Sequence, residues 1–269
     1  MKIVITQARK IQQFATIFAN LKNFTENVCI YFKPAGIYIQ CMDDSHCCLF
    51  ECNLGRSWFA EYEFNEDTDQ PSVGINIPMF NRVLNTWNDT QQMTLILQPG
   101  QDQLSIHFER EENAKFNGHF DKFFDISLIN LENELLNVQD FDTLIDVKVE
   151  AKIFCALINQ LMGFNDVLVL TFNEDNIECV SSGTDGSMKA VIKIDDIKEY
   201  AISEDTTVKQ TYSLRYVQTM CKFNQLAPVI EMGFSEAVPM FMKYRLSDNN
   251  DIEESFVRIH LAQKIAEDY

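Results

Sequence analysis

Residues 27–50 read Asn-Val-Cys-Ile-Tyr-Phe-Lys-Pro-Ala-Gly-Ile-Tyr-Ile-Gln-Cys-Met-Asp-Asp-Ser-His-Cys-Cys-Leu-Phe. Most residues on either side of the Lys-Pro-Ala-Gly sequence are β-branched or aromatic, and strands favour these types. Pro34 presets a turn dihedral and Gly36 accepts a positive φ, so we expect the chain to reverse there. The stretch therefore predicts two strands around a turn, followed by a polar bend and a third strand-like run.

The polar bend, Asp43-Asp44-Ser45-His46, has two interpretations from its residues alone. Two carboxylates, a hydroxyl and an imidazole could form a metal site or the acid/base pair of a hydrolase. Short motifs are weak without a confirming context, and no zinc-protease, phosphate-loop or paired-cysteine motif accompanies this one. Asp and Ser side chains also bond nearby backbone groups, so a capped turn is the simpler interpretation. We therefore expect no catalytic residue, no metal and no cofactor.

The composition predicts a globular intracellular protein. The chain has 269 residues, of which 46% are apolar, enough to build two domains of ordinary size. It has no apolar run as long as a membrane span and no signal peptide, so we expect no membrane partner. Its eight cysteines lack metal-ligand spacing and include a cluster on apolar strands, so we expect buried free thiols in a reducing compartment.

Apolar spacing predicts four helices, at residues 8–23, 78–88, 150–162 and 213–224. In the third of these, Ile153 is counted with Phe154 in the apolar pattern. Residues 129–142 hold acidic residues, no basic residue and no clear period, which predicts an extended connector between domains 1–128 and 143–269. The order helix, strands, helix, strands recurs in both halves, which predicts internal duplication.

Charge is distributed unevenly along the chain. The net charge of −18 argues against nucleic-acid binding by the surface as a whole. The four predicted helices nevertheless hold a single acidic residue, Glu150, where an even spread would give about eight. They hold seven basic residues: Arg9, Lys10, Lys22, Arg82, Lys152, Arg215 and Lys222. A solvated helix face explains one such helix, whereas four in an acidic protein predict a shared basic surface.

The sequence from Gly36 to His46 resembles the first-domain signature of the PCNA family of DNA sliding clamps. Further segments occur in the family's order: Val-Gly-Ile-Asn at 73–76, Leu-Arg-Tyr at 214–216, Val-Pro-Met at 238–240 and Leu-Ala-Gln-Lys-Ile-Ala-Glu-Asp at 261–268. The resemblance implies an α+β fold of two similar clamp domains, each with antiparallel sheets outside and two helices on the inner face. It also implies a homotrimeric ring that encircles duplex DNA.

The resemblance implies the partners as well. A clamp of this family gives processivity to DNA polymerase, binds other replication and repair proteins through short peptides, and is opened by a clamp loader. It binds double-stranded DNA without sequence specificity, and Lys22, Arg82, Arg215 and Lys222 match basic positions on the family's inner face. We expect a nuclear protein or, for a viral member, one at a cytoplasmic replication site.

Two further residue sets follow from the resemblance. The partner-peptide set is Met42, His46, Cys47, Leu49, Leu135, Val138, Pro239, His260 and Ala262. The subunit-interface set, on edge strands near 114–124 and 187–194, is Phe116, Phe120, Phe123, Met188, Val191 and Ile192.

Several positions depart from the family pattern. Ala15 and Thr16 replace a lysine pair, and Asn159 replaces a basic residue, so DNA contact is expected to be weaker. His260 replaces an aromatic residue, which predicts a more polar pocket floor, and Gln263 replaces a proline. Glu174 stands where eukaryotic members carry a modified lysine. These departures suggest a divergent member, and a viral source is one interpretation.

Three alternatives to a closed clamp remain at this point. A monomeric processivity factor would bind DNA on the basic helices without forming a ring. A peptide-binding scaffold would have no role on DNA. A hydrolase that uses residues 43–46 is the least favoured.

Overall fold

The structure is a computed structural model, and it describes residues 1–67, 69–110, 118–131, 135–138, 141–236, 238–246 and 254–264. The predicted interface residue Phe116 lies outside these ranges. Within them, the chain forms four α-helices, eighteen β-strands and two short 3₁₀ segments. None of these helices is long and apolar enough to cross a membrane.

The elements fall into two repeats of the same order. The first repeat consists of β1 (Lys2–Ile5), α1 (Ala8–Leu21), β2 (Asn27–Lys33), β3 (Gly36–Met42), β4 (Cys48–Gly55), β5 (Glu61–Glu63), β6 (Ser72–Asn76), α2 (Ile77–Leu84), β7 (Gln91–Leu97), β8 (Gln103–Arg110) and β9 (Lys122–Ser127). The second consists of β10 (Ile145–Glu150), α3 (Ala151–Leu161), β11 (Val167–Phe172), β12 (Asn176–Ser182), β13 (Ser187–Lys193), β14 (Glu199–Ile202), β15 (Val208–Ser213), α4 (Leu214–Cys221), β16 (Val229–Phe234), β17 (Met240–Arg245) and β18 (Phe256–Leu261). This identity of order confirms the predicted duplication.

The strand neighbours repeat as well. In the first repeat the orders are β5-β1-β7-β8-β9 and β6-β2-β3-β4. In the second they are β14-β10-β16-β17-β18 and β15-β11-β12-β13. The paired strands whose register is defined run antiparallel, for example β7 with β8 and β11 with β12. The α+β fold with antiparallel sheets is therefore confirmed.

By their internal contacts, the described residues group into two compact units. The first unit comprises Met1–Asp44, Phe50–Leu136 and Leu246–Val257. The second comprises Ser45–Leu49, Asn137–Arg245 and Arg258–Tyr269. The predicted domain boundaries at 128 and 143 stay a prediction.

In the first unit, aromatic rings join the two helices. The Phe18 and Phe80 rings meet edge to face with centroids 4.7 Å apart, and Phe14 lies 4.9 Å from Phe18. The predicted turn after Pro34 is present, with Gly36 at a φ of +138°. A Cβ at Gly36 would lie 2.1 Å from the Leu54 carbonyl oxygen, so only glycine fits this turn.

In the second unit, the core forms in the same way around different residues. The Phe172 and Phe234 rings lie 4.6 Å apart, and the buried Tyr244 hydroxyl donates to the Met220 carbonyl (2.9 Å). Cys155 and Cys221 are buried in the same unit, and the Cys155 thiol donates to the Cys221 backbone carbonyl (3.6 Å).

The helices are shorter than predicted. The second helix is predicted to end at residue 88, but α2 ends at Leu84. The indole N–H of Trp87 donates to the Gln91 carbonyl (2.8 Å), so this residue closes the turn into β7. Ile153 was counted with the apolar face of α3 but is 67% exposed. The buried face of α3 is built from Phe154, Ile158 and Leu161, and a residue next to Phe154 points about 100° away from it.

Candidate nucleic-acid interface and partner surfaces

In the first unit, three of the predicted basic residues are exposed on α1 and α2 or directly after α1: Arg9, Lys22 and Arg82. The Asn81 side chain donates to the Phe18 carbonyl (2.9 Å), which holds α2 against α1. Asn76 caps α2 by accepting from the Met79 N–H (3.1 Å). The packed helix pair therefore presents its cations on a rigid support.

Lys10 differs from its basic neighbours. Its ammonium group donates to the Trp58 carbonyl (2.8 Å) and lies 5.5 Å from the centre of the Trp58 ring. The side chain is therefore already engaged within the first unit, and a phosphate would have to compete with this contact.

In the second unit, Lys152 is exposed on α3, Arg215 on α4 and Lys222 directly after α4. Between these helices the Gln218 amide donates to the Asn159 side-chain oxygen (2.9 Å), so a neutral, exposed pair links α3 to α4. Asp166 caps α4 from outside the helix, since its carboxylate accepts from the Arg215 N–H (2.9 Å) and the Ser213 hydroxyl. Sequence reasoning missed this cap because Asp166 lies 49 positions before Arg215.

Residues 44–47, between β3 and β4, form a turn, and its capping by Asp and Ser side chains stays a prediction. His46 is exposed with a φ of +56°, a left-handed conformation that is uncommon outside glycine. In the second unit, the Ala262 N–H donates to the Cys47 carbonyl (3.0 Å). Across the described ranges, no cluster of three His, Cys, Asp or Glu side chains could hold a metal ion.

The partner-peptide residues divide between the two units. Met42 is half-buried and Leu135 is 39% exposed, and both belong to the first unit. In the second unit, the exposed or half-buried members are His46, Cys47, Leu49, Val138, Pro239 and Ala262. His260 is buried, with the rings of Phe141 and Phe241 centred 6.2 Å and 6.4 Å from its own.

The backbone pattern of β13 defines which groups face away from β12. The Gly183 N–H donates to the Gly186 carbonyl (2.8 Å), and the Ile194 N–H donates to the Asp175 carbonyl (3.4 Å). Hydrogen-bonded pairs alternate along an antiparallel ladder, so the next such pairs are 181/188, 179/190 and 177/192. The backbone groups of Lys189 and Val191 therefore point outward from the sheet.

Strand β9 is the edge strand of another sheet, and the same alternation shows which of its backbone groups face away from β8. The Leu128 N–H donates to the Asp102 carbonyl (2.9 Å), which makes 104/126 and 106/124 the hydrogen-bonded pairs with β8. The backbone groups of Phe123 and Asp125 therefore point outward. Phe120 and Phe123 are 72% and 61% exposed. The predicted interface residues on β13 differ in exposure. Val191 is 49% exposed, whereas Met188 and Ile192 are half-buried on the other face of that strand.

Comparison with known families accounts for both halves of the chain. The family model described as proliferating cell nuclear antigen, N-terminal domain, matches residues 7–135. The model for the C-terminal domain of the same protein matches residues 136–263. The chain belongs to the proliferating cell nuclear antigen family.

Curated relatives agree at low identity over nearly the full length. Proliferating cell nuclear antigen 1 of Plasmodium falciparum is 24% identical, and the match covers 94% of this chain and 93% of the relative. Proliferating cell nuclear antigen of Chaetomium thermophilum is 22% identical over 92% of this chain and 93% of its own. PCNA proteins are non-enzymatic sliding clamps for DNA replication, so the chain is a PCNA-type clamp and not a hydrolase.

Proposed function

We propose that this protein is a PCNA-type clamp whose copies close head to tail into a homotrimeric ring around duplex DNA. The observation that carries the proposal is the sign of the charge on the helices. Six exposed cations lie on α1 to α4 or directly after them, in a chain whose net charge is −18. Such charge supports exchangeable phosphate contacts that hold DNA without reading its sequence.

Ring closure is supported by the two edge strands, β9 and β13. Each presents outward backbone donors and acceptors, and such edges pair readily with another chain. Their side chains are complementary, since β9 carries Phe123 and Asp125 whereas β13 carries Val191, Lys189 and Lys193. Pairing of two unlike edges generates a ring when the rotation closes.

A closed ring holds DNA by enclosure and does not need tight binding. The cations at the ends of α1 and α4 have a second role, since Lys22 and Lys222 are the C-cap residues and complement the helix dipoles. The proposal assigns phosphate contact to Arg9, Lys22, Arg82, Lys152, Arg215 and Lys222. Lys10 contributes less because it already binds Trp58.

The clamp is proposed to tether DNA polymerase and other replication and repair proteins through short peptides. Leu135 and its neighbour Leu136 are 39% and 50% exposed, and adjacent exposed apolar side chains support this role in the first unit. Exposed Cys47, Pro239 and Ala262 support it in the second. A nuclear location and a clamp loader belong to the same proposal.

The deciding experiment compares DNA topologies. The protein would be loaded onto nicked circular DNA with a clamp loader, and its retention followed before and after the circle is cut. A ring stays on the circle and slides off the cut ends. Equal retention on both forms contradicts enclosure and favours a monomeric DNA-binding factor, whereas no retention on either form favours a peptide-binding scaffold.

A further inference from the structure

A buried glutamine holds the connector backbone in the first unit. The Gln40 side chain is 6% exposed on β3, and its amide makes two hydrogen bonds with Leu136. The Leu136 N–H donates to Gln40 Oε1 (2.8 Å), and Gln40 Nε2 donates to the Leu136 carbonyl (3.1 Å). The amide thus satisfies both backbone groups of one residue, as a neighbouring strand would.

The Gln40 amide is itself oriented by hydrogen bonds to Tyr38 and, through Tyr38, to Glu51. Gln40 Nε2 also donates to the Tyr38 hydroxyl (2.9 Å), and that hydroxyl donates to Glu51 Oε1 (2.8 Å). Glu51 is 3% exposed, and Tyr38 and Gln40 share one face of β3 because they are two residues apart. The chain of bonds fixes which end of the Gln40 amide faces each group of Leu136.

The connector is also held at its beginning. The Ile129 N–H donates to the Gly74 carbonyl (2.8 Å), and the Cys29 thiol lies 3.7 Å from the Leu131 carbonyl. A Cβ at Gly74 would lie 2.2 Å from the Ile129 carbonyl oxygen, so the approach requires glycine. Leu136 is the last connector residue grouped with the first unit, and Gln40 therefore binds the connector where the chain leaves that unit.

We propose that Gln40 is a positioning residue, which holds Leu136 in place and so sets where the adjacent Leu135 meets a partner peptide. The proposal rests on the proposed peptide-docking function. Gln40 itself is buried and does not touch the peptide. Its effect comes from restricting a connector that otherwise must be ordered when the peptide binds, and such ordering weakens affinity.

The test uses Gln40→Met, which keeps the side-chain volume and removes all three hydrogen bonds. Gln91→Met is the matched control, because Gln91 is also buried in the first unit and its amide also bonds to the backbone, by donating to the carbonyls of Phe108 and Phe120. The probe is a synthetic peptide with one aliphatic and two aromatic anchors on a single helical turn. Its affinity would be measured by calorimetry, and amide exchange at Leu136 by NMR.

Gln40→Met is expected to lower the affinity for the peptide about tenfold and to speed amide exchange at Leu136 by at least about tenfold. Gln91→Met is expected to lower the melting temperature similarly while leaving both readouts unchanged. Tyr38→Phe keeps both Leu136 bonds and is expected to shift both readouts in the same direction by a smaller factor.

Unchanged affinity in Gln40→Met, or an equal loss in Gln91→Met, would overturn the positioning role. If Gln40→Met does not fold, Tyr38→Phe decides, and wild-type values in that variant would count against the proposal. Absence of any peptide binding by the wild type would refute the docking function instead. In that case the exchange at Leu136 still reports whether Gln40 holds the connector.

Discussion

The two repeats have the same elements in the same order, yet they expose different chemistry. In the first repeat, the link from β3 to β4 is five residues long and leaves His46 exposed at a positive φ. In the second, the link from β12 to β13 is a tight turn in which the Gly183 N–H donates to the Gly186 carbonyl. The shared core therefore sets the fold of both repeats, whereas their links and sheet edges present different residues to partners.

The sheet edges differ in the same way. The outward positions of β9 are aromatic and acidic, and those of β13 are aliphatic and basic. Two identical edges would favour a two-fold dimer, whereas two unlike edges favour head-to-tail assembly. The difference between the repeats is therefore what a ring requires.

The largest effect is expected from Val191→Pro. Its backbone N–H points away from β12, so proline removes a donor from the free edge and leaves the internal ladder intact. We expect a folded monomer, measured by light scattering and circular dichroism.

The neighbouring Ala190→Pro is the control for this variant. Ala190 pairs with Cys179 at a hydrogen-bonded position, so its substitution should lower the melting temperature strongly. A trimeric Val191→Pro protein, or equal unfolding of the two variants, would refute the assigned edge.

A large effect is also expected when the helix cations are removed. The combined Lys22→Ala, Arg82→Ala, Arg215→Ala and Lys222→Ala variant should bind DNA more weakly on every sequence and with a shallower salt dependence. Splitting it into the pair from each repeat shows whether both helix faces contribute. Lys10→Ala should change the salt slope less, because Lys10 binds Trp58. An unchanged slope in the fourfold variant would remove the helices from the DNA-binding surface.

A smaller set of changes should affect partner binding alone. Leu135→Asp and Leu49→Asp are each expected to lower the affinity for an aromatic-anchored peptide by about tenfold or more. Calorimetric titration measures this loss, which is expected because a few buried anchors dominate such affinity. Leu144→Asp is the control, because Leu144 is 47% exposed and outside the docking set. If both variants stay trimeric and bind like the wild type, the docking site lies elsewhere.

The smallest effect is expected from the edge charges. Asp125→Lys should weaken trimer association by about two- to fivefold at low salt, and less in high salt, because exposed charge pairs contribute little. Asp89→Lys, in an exposed turn, matches the charge change away from the edge. Equal effects of the two substitutions would indicate a general change in net charge.

Much of this fold could be predicted from local pattern. The turn at Gly36, the duplication and all four helices followed from residue types and spacing. The helix ends could not be predicted in this way. Trp87 continues the apolar period of α2, but its indole N–H donates to the Gln91 carbonyl and closes a turn. The Asp166 cap and the Gln40 contact with Leu136 join residues 49 and 96 positions apart, and no local signal marks such pairs.

The candidate site residues were predictable from sequence to different degrees. The cations were visible because acidic residues are nearly absent from the helices. Lys10 could not be separated from them, since its contact with Trp58 depends on the folded first unit. The role of His260 in a polar pocket floor stays a prediction; its ring is buried near Phe141 and Phe241, and no local signal predicts these two neighbours.

The most direct test of ring closure is the mass of the wild-type protein in solution. Light scattering at micromolar concentration should give three times the chain mass of 31.1 kDa. The mass should stay constant on moderate dilution, because edge pairing buries backbone groups at three equivalent interfaces. A mass of one chain at that concentration would contradict ring closure and favour a monomeric factor.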